Sequence, residues 1–315
     1  MMAAESMGHS LIDQLPEVRG RLRSDEPLAK YTWFRVGGPA EVLFEPADVD
    51  DLVSFLKRCP AEIDVTVIGG TSNILIRDGG IPGVVIRLGK AFADIRTENN
   101  RVQAGAAAAD VNIARKARDA GIGGLEFLVG IPGVLGGALR MNAGAYEREI
   151  KDIFVSAKGV TRTGEAVEFW PEDMSFSYRH SDVPDDVIFI SATLQGNRDD
   201  RESIANRMQR IQAKREESQP VRTRTGGSTF ANPEKNHAWK LVDEAGCRGL
   251  RIGDAMVSKQ HCNFLVNTGN ATAADIESLG EEVRRRVFEN SGVELRWEIR
   301  RLGVPLETQL VEVQS

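Results

Sequence analysis

Residues 65–80 read VTVIGGTSNILIRDGG. A β-branched run opening into paired glycines is the pattern of a buried strand that enters a tight loop. The loop Gly69, Gly70, Thr71, Ser72, Asn73 offers backbone amides, two hydroxyls and one amide side chain. Amides turned inward supply partial positive charge without a lysine, so such a loop can surround a diphosphate. It does not open a helix in the GxGxxG manner, because a second apolar run, Ile74-Leu75-Ile76, follows at once. An ordinary glycine turn is the plain alternative. A second cluster shifts the balance: GGLEFLVGIPGVLGGALRMNAGAY, residues 123–146, sets Gly130, Gly133, Gly136, Gly137 and Gly144 close together, with Pro132 fixing one turn. Glycine at this density costs conformational entropy unless the backbone must pass close to something. Two such loops without a Walker lysine point to a large flat cofactor carrying a diphosphate rather than to a nucleoside triphosphate. Tight packing of chain on chain stays open as the other reading.

The rest of the chain sets bounds. At 315 residues it is long for one core, and two or three domains are expected. A formal net charge of −6 argues against a nucleic-acid groove built on global basicity. No run approaches ~18 consecutive apolar residues, so no membrane span is expected. The polar N-terminus MMAAESMGHS lacks the pattern of a secretory signal. The three cysteines, Cys59, Cys247 and Cys262, form no CxxC pair. That fits a reduced cytoplasm and provides no metal site.

Periodicity predicts a short helix over 11–22, a strand in AEVLFEP broken by Pro46, and a helix in DVDDLVSFLKRC with an acidic first turn. Short strands follow in GVVIRLG and NRVQAGAAA, then a helix in AADVNIARKARDAGI with Asp110 as its cap and Gly121 as its stop. IFVSAKGVTRTGEAVEFW is a hairpin turning at Thr161–Gly164, and DVIFISATLQG is another strand. NRDDRESIANRMQRIQAKREESQP is a charged helix stopped by Pro220, a connector between domains. Beyond it lie a helix in NHAWKLVDEAG, a strand after VSKQHC, a helix from Thr272 and a strand in VELRWEIRRLG.

TWFRVGGPA, VIGGTSNILIRDGG, GIPGVLGGALRMNAGAY, FSYRHS, GGSTFANP, VSKQHCNFLVN and GVELRWEIR occur in this order over roughly residues 25–303. In this the chain resembles the UDP-N-acetylenolpyruvoylglucosamine reductase family. The resemblance implies an α+β protein. Its expected parts are a vanillyl-alcohol-oxidase-type FAD-binding region in two lobes (1–200), a connecting helix (201–217), a smaller α+β substrate-binding domain (218–301) and a tail (302–315) returning to the first part. It implies non-covalent FAD, NADPH as reductant, and UDP-N-acetylglucosamine-enolpyruvate as substrate in cell-wall synthesis. A cytoplasmic monomer without a nucleic-acid partner is expected. The cofactor contacts it implies are Arg35, Gly69, Gly70, Thr71, Ser72, Asn73, Gly130, Ile131, Pro132, Gly133, Gly136, Gly137, Asn142, Ala143 and Gly144.

Ser228 follows two glycines, and its own surroundings disfavour an elbow-type nucleophile, since there is no GxSxG. Turn residue, phosphate contact and proton donor remain. The resemblance chooses the last: flavin N5 gives hydride to the enol ether, and Ser228 protonates the neighbouring carbon. It also implies that Arg179 and Glu298 are catalytic, polarising the substrate carboxylate and stabilising the enolic charge. Tyr178, Asn232, Lys259 and His261 are the implied substrate contacts. The chain departs from the family pattern at Thr71 and Glu147, where glycine is common, and at Arg296-Trp297, where an acidic residue and proline are common. The short run from FSYRHS to DVIFISATL matches the shorter subtype, which lacks a tyrosine-bearing loop over the substrate.

Overall fold

The computed structural model describes residues 10–306. The N-terminal segment read as no secretory signal, and the tail from residue 307 onward, lie outside the described residues. The first lobe is built from β1 (Arg21–Pro27), β2 (Pro39–Glu45), α1 (Val49–Arg58), β3 (Val65–Ile68), β4 (Ile74–Ile76) and β5 (Ile81–Arg87). Its sheet runs β1-β2-β5-β3, with β2, β5 and β3 parallel and β1 antiparallel at one edge. The helix α1 forms where predicted because Asp48 caps it, accepting from the Asp51 amide, while Lys57 and Arg58 meet the negative end of its dipole. Its buried face, Leu52, Phe55 and Leu56, packs on the sheet, with the Phe55 and Phe44 rings 4.3 Å apart.

The second lobe comprises β6 (Ile95–Glu98), β7 (Arg101–Gly105), α2 (Asp110–Asp119) and α3 (Leu135–Arg140), followed by the hairpin Phe154–Val160 and Ala166–Phe169 and the strand Ile188–Gln195. These strands make one antiparallel five-stranded sheet. The helix Arg201–Ser218 lays only Ile204 and Met208 into the core, as its charged composition requires. A third, four-stranded sheet pairs Arg224–Ser228 with Phe264–Asn267, then Ala255–Val257, then Arg251–Ile252. The helices Ala238–Glu244 and Ala273–Ser291 pack with it in one core, to which Phe34, Val36 and Leu75 of the first lobe also belong.

Three expectations are corrected. The helix expected over 11–22 is only the single turn Leu11–Gln14, because Pro16 forces Leu15 into extended backbone, and β1 already begins at Arg21. Asp110 is the first residue of α2 and makes no capping bond; Ala109 occupies the cap position. The strand expected over 293–303 is only Arg300–Leu302. That short strand leaves the third sheet and pairs in parallel with β4 of the first lobe.

The lobes are also tied by polar contacts. Asp78, just past β4, accepts from the Ala273 and Ala274 amides, both at 2.9 Å, and so caps the helix Ala273–Ser291 from another lobe. The neighbouring Arg77 makes a two-pronged pair with Glu277 on the same helix. Caps of this kind contribute about 1–2 kcal/mol. Asp78→Ala should therefore lower stability by about that amount in urea unfolding, with Asp78→Asn, which keeps an acceptor, losing less. Equal midpoints for wild type and the alanine variant would show that this contact carries no stability.

Candidate active site

The two glycine loops meet. A Cβ on Gly70 would lie 3.0 Å from the Gly133 Cα, so at this position only glycine lets the backbones approach. Between and beside them opens a cavity of about 640 Å³, within the ~300–1,000 Å³ typical of small-molecule and cofactor sites. Gly69, Gly70, Thr71, Ser72, Asn73, Gly130, Ile131, Pro132, Gly133, Gly136, Gly137, Ala143 and Gly144 all line it. Gly137 faces open space, with nothing within 4 Å of where its Cβ would be. Several side chains of the first loop are turned to the protein. Ser72 Oγ donates to the Pro132 carbonyl at 2.5 Å, and Asn73 Nδ2 donates to the Glu298 carbonyl at 3.1 Å. Thr71 adopts φ 52°, a left-handed conformation that accounts for the glycine common there, and its hydroxyl donates to the Tyr31 carbonyl at 2.6 Å.

Ser228, Arg179 and Glu298 come from three separate segments and line the same cavity. Ser228 ends the strand Arg224–Ser228, whose pairing with Phe264–Asn267 slips between Thr225 and Ser228. Gly227 makes the slip possible at φ 81°, a backbone that L side chains rarely adopt. Among the described residues no side chain hydrogen-bonds the Ser228 hydroxyl, so no base is placed to make it a nucleophile. Arg179 sits at φ 58° in a two-residue turn closed by Ser177 and His180, which exchange backbone bonds at 3.1 and 3.3 Å. From there its Nε donates to Glu298 Oε1 at 2.9 Å and its Nη2 to the Gly144 carbonyl at 3.2 Å. The Glu298 main chain is held from both sides: its amide donates to the Thr229 carbonyl at 2.8 Å, and its carbonyl accepts from Asn73. Burial pushes the Glu298 carboxyl above its ordinary range, and the charge and hydrogen bond of Arg179 oppose that rise.

The other expected residues stand elsewhere. Arg35 is exposed and donates to the Lys30 carbonyl. Asn142 is buried, and its side chain holds the Glu149 carboxylate, the Ser177 carbonyl and the Lys151 amide. It thereby braces the Arg179 turn from behind. Tyr178 is half exposed beneath the Arg179 guanidinium, 5.1 Å from its ring centroid. Asn232 accepts from the Ala238 amide at 2.9 Å, which makes it a brace for the helix Ala238–Glu244. Lys259 is exposed, and His261 packs edge-on between Trp239 and Phe264, its pKa lowered by burial. None of these six lines the cavity.

The cavity wall also contains charged residues that the sequence did not single out. Arg140 and Arg215 line it without an ion-pair partner among the described residues, and burial lowers the pKa of both. Asp110 is fully buried on the same wall, and neither carboxyl oxygen has a hydrogen-bond partner. Burial raises its pKa to about 8. A backbone-lined space with unpaired cations suits a flat dianionic cofactor, and among the described residues no histidine or cysteine on the wall could tether one. The segment 180–187 carries no tyrosine that could cover the mouth.

Comparison with known proteins agrees with this geometry. Residues 40–169 match a model described as an FAD binding domain, and residues 219–302 match UDP-N-acetylenolpyruvoylglucosamine reductase, C-terminal domain. Fold and site together define an FAD-dependent oxidoreductase. The proteins of that name from Parvibaculum lavamentivorans (58% identical, 98% of this chain, 99% of the relative) and Rhodospirillum rubrum (57% identical, 94% and 95%) match nearly end to end. The solved UDP-N-acetylenolpyruvylglucosamine reductase of Thermus caldophilus superposes with a TM-score of 0.78 at 34% identity, covering 91% of this chain and all of that one. The chain belongs to the UDP-N-acetylenolpyruvoylglucosamine reductase family.

The Arg179–Glu298 pair makes a stability prediction. With side-chain exposures of 26% and 11%, loss of Arg179 leaves a mostly buried carboxyl uncompensated. The cost should be of order 2 kcal/mol at pH 7, below the ~3–5 kcal/mol of a fully buried pair. Removing the guanidinium raises the Glu298 pKa further, so the folded state holds its proton over a wider range than the unfolded chain does. Stability of Arg179→Leu relative to wild type should then be least affected near pH 4 and fall as pH rises through the raised folded value. Thermal melts from pH 4 to 8 check the sign; a difference that shrinks with rising pH would contradict it.

Proposed function

We propose that the protein reduces the enolpyruvyl group of UDP-N-acetylglucosamine-enolpyruvate to give UDP-N-acetylmuramate for peptidoglycan, with NADPH as the electron source. The observation that carries the reading is the convergence of Ser228, Arg179 and Glu298 on one cavity between two glycine loops. FAD supplies the hydride when bound. The protein's task is to hold the substrate carboxylate, stabilise the negative charge that grows next to it, and return a proton to carbon.

The residues suit those tasks. Arg179 is held by Glu298 through Nε and by Gly144 through Nη2, which leaves Nη1 as a donor to a carboxylate. Glu298, with its raised pKa, is poised to hold a proton near the enolic oxygen in a site of low dielectric. Ser228 has a hydroxyl on the same wall without a hydrogen-bond partner among the described residues, the arrangement needed to protonate the adjacent carbon. A serine hydroxyl is a weak acid and works only against a strongly basic carbanion. Placing the two ligands in one cavity in turn supports ping-pong kinetics, in which oxidised NADPH leaves before the enolpyruvyl substrate enters. The reading carries with it a cytoplasmic monomer of the shorter subtype with no nucleic-acid partner. Among the described residues no helix is long and apolar enough to cross a membrane.

An oxidase of another alcohol on the same fold is the second reading. Such enzymes often tether the flavin through His or Cys, and among the described residues the cavity wall holds neither. Stopped-flow kinetics on Ser228→Ala separates the steps. Reduction of the flavin by NADPH should stay near the wild-type rate, whereas reoxidation by the enolpyruvyl substrate should slow by about 10²–10⁴-fold, the usual weight of general acid catalysis. Wild-type rates in both halves would remove Ser228 from the mechanism.

A further inference from the structure

Among the described residues, Asp110 is the one on the cavity wall whose buried side-chain oxygens have no hydrogen-bond partner. It is 0% exposed, and both carboxyl oxygens are unbonded among the described residues. Its amide donates to the Gly133 carbonyl at 3.2 Å, which ties the start of α2 to the second glycine loop. Its Oδ2 lies 3.5 Å from where a Gly133 Cβ would stand, beside Ser72 Oγ at 3.2 Å from the same point. The carboxyl therefore sits at the meeting of the two glycine loops. A buried polar group normally finds a partner, and a carboxylate left without one is costly to bury. A missing partner on the wall of a ligand cavity is most simply supplied by the ligand.

We infer that Asp110 remains protonated and donates a hydrogen bond to an acceptor oxygen of the FAD held between the two glycine loops, so that FAD binding requires one proton on this side chain. The inference rests on the assignment of FAD to this cavity. Asp110 acts as a positioning residue, coupling the opening of α2 to the cofactor through Gly133. Its titration is moved by burial alone, to about 8. The charged groups elsewhere on the wall are Arg87, Arg140, Arg179 and Arg215, with Asp185, Glu298 and Arg300. None of them contributes to the shift. The start of a helix favours a carboxylate, and here full burial without a donor overrides that preference.

The sign follows from linkage. The acceptor holds the proton in the complex more firmly than the free protein does, so affinity is constant below the free-protein pKa and falls above it. Protein stripped of FAD is titrated with FAD between pH 6 and 9.5, following quenching of flavin fluorescence. Wild type should bind with constant Kd to about pH 8 and then weaken about tenfold per pH unit. Asp110→Asn, which keeps a donor and does not titrate, should match wild type at pH 7 and stay flat relative to it above pH 8. Asp110→Ala should bind roughly tenfold more weakly at pH 7, the scale of one lost hydrogen bond. Identical pH profiles for wild type and Asp110→Asn, or an alanine variant as tight as wild type, overturn the inference. If a variant does not fold, the wild-type profile decides alone, and a Kd flat to pH 9.5 overturns it. Failure of the wild type to bind FAD at any pH would instead sink the FAD assignment, and this inference with it.

Discussion

Glu298 is held by its main chain before its side chain does anything. Its amide donates to Thr229 in the third sheet, its carbonyl accepts from Asn73 in the first glycine loop, and two residues later the chain pairs with β4. One short segment thus joins the residue next to Ser228, the first glycine loop and the first lobe. The side chain then reaches the second lobe through Arg179. Because the three catalytic candidates come from three separate segments, no single segment can hold them in register. These backbone bonds, between groups that would be costly to bury unpaired, fix their relative positions.

The same segment explains why the lobes form one molecule. The third sheet shares its core with Phe34, Val36 and Leu75. Phe34 presses on Gly226, where an added Cβ would lie 2.4 Å from the ring, and Gly226 lies within the slip that turns Ser228 toward the cavity. Packing in the core and the aim of the serine are therefore one arrangement. Trp297 closes the other side: its indole fits over Gly280 of the long helix, stacks near Phe230 and donates to Glu281 at 2.7 Å. A tryptophan where the family commonly has proline is accommodated because the helix offers a glycine and a carboxylate at that spot.

Much of this was legible in the sequence, and the exceptions share a cause. The glycine loops, the hairpin, the charged helix and the capped helices depend on local pattern, and they form where local pattern places them. Residues 293–303 look like one strand because apolar and polar residues alternate there. In the fold only Arg300–Leu302 has a strand to pair with, since the preceding residues bond singly to Thr229 and to Ala231. Asn232 is a substrate contact only by resemblance, and what its side-chain oxygen does in the fold is accept from the start of a helix six residues on. Asp110 looked like a cap because aspartate before a helical run usually is one. What separates it from Asp48, a true cap, is burial at the junction of two distant loops, and no local window contains that information.

The departures from the family pattern lead to the same view of the site. Thr71 and Glu147 both occupy left-handed backbone, at φ 52° and 63°, where glycine would be free of strain. Thr71 has a compensating contact, the hydroxyl bond to Tyr31, which anchors the first glycine loop to the segment preceding Phe34. Glu147 lies in an exposed turn beside Tyr146, whose hydroxyl reaches the Ile211 carbonyl on the charged helix. That hydroxyl bond thus stiffens the first glycine loop against the strain at Thr71. The Tyr146 contact ties the second glycine loop to the helix that carries Arg215 into the cavity. A glycine at position 71 would relieve the backbone and lose that anchor. In this chain the cradle is stiffened by side-chain bonds as well as shaped by glycine.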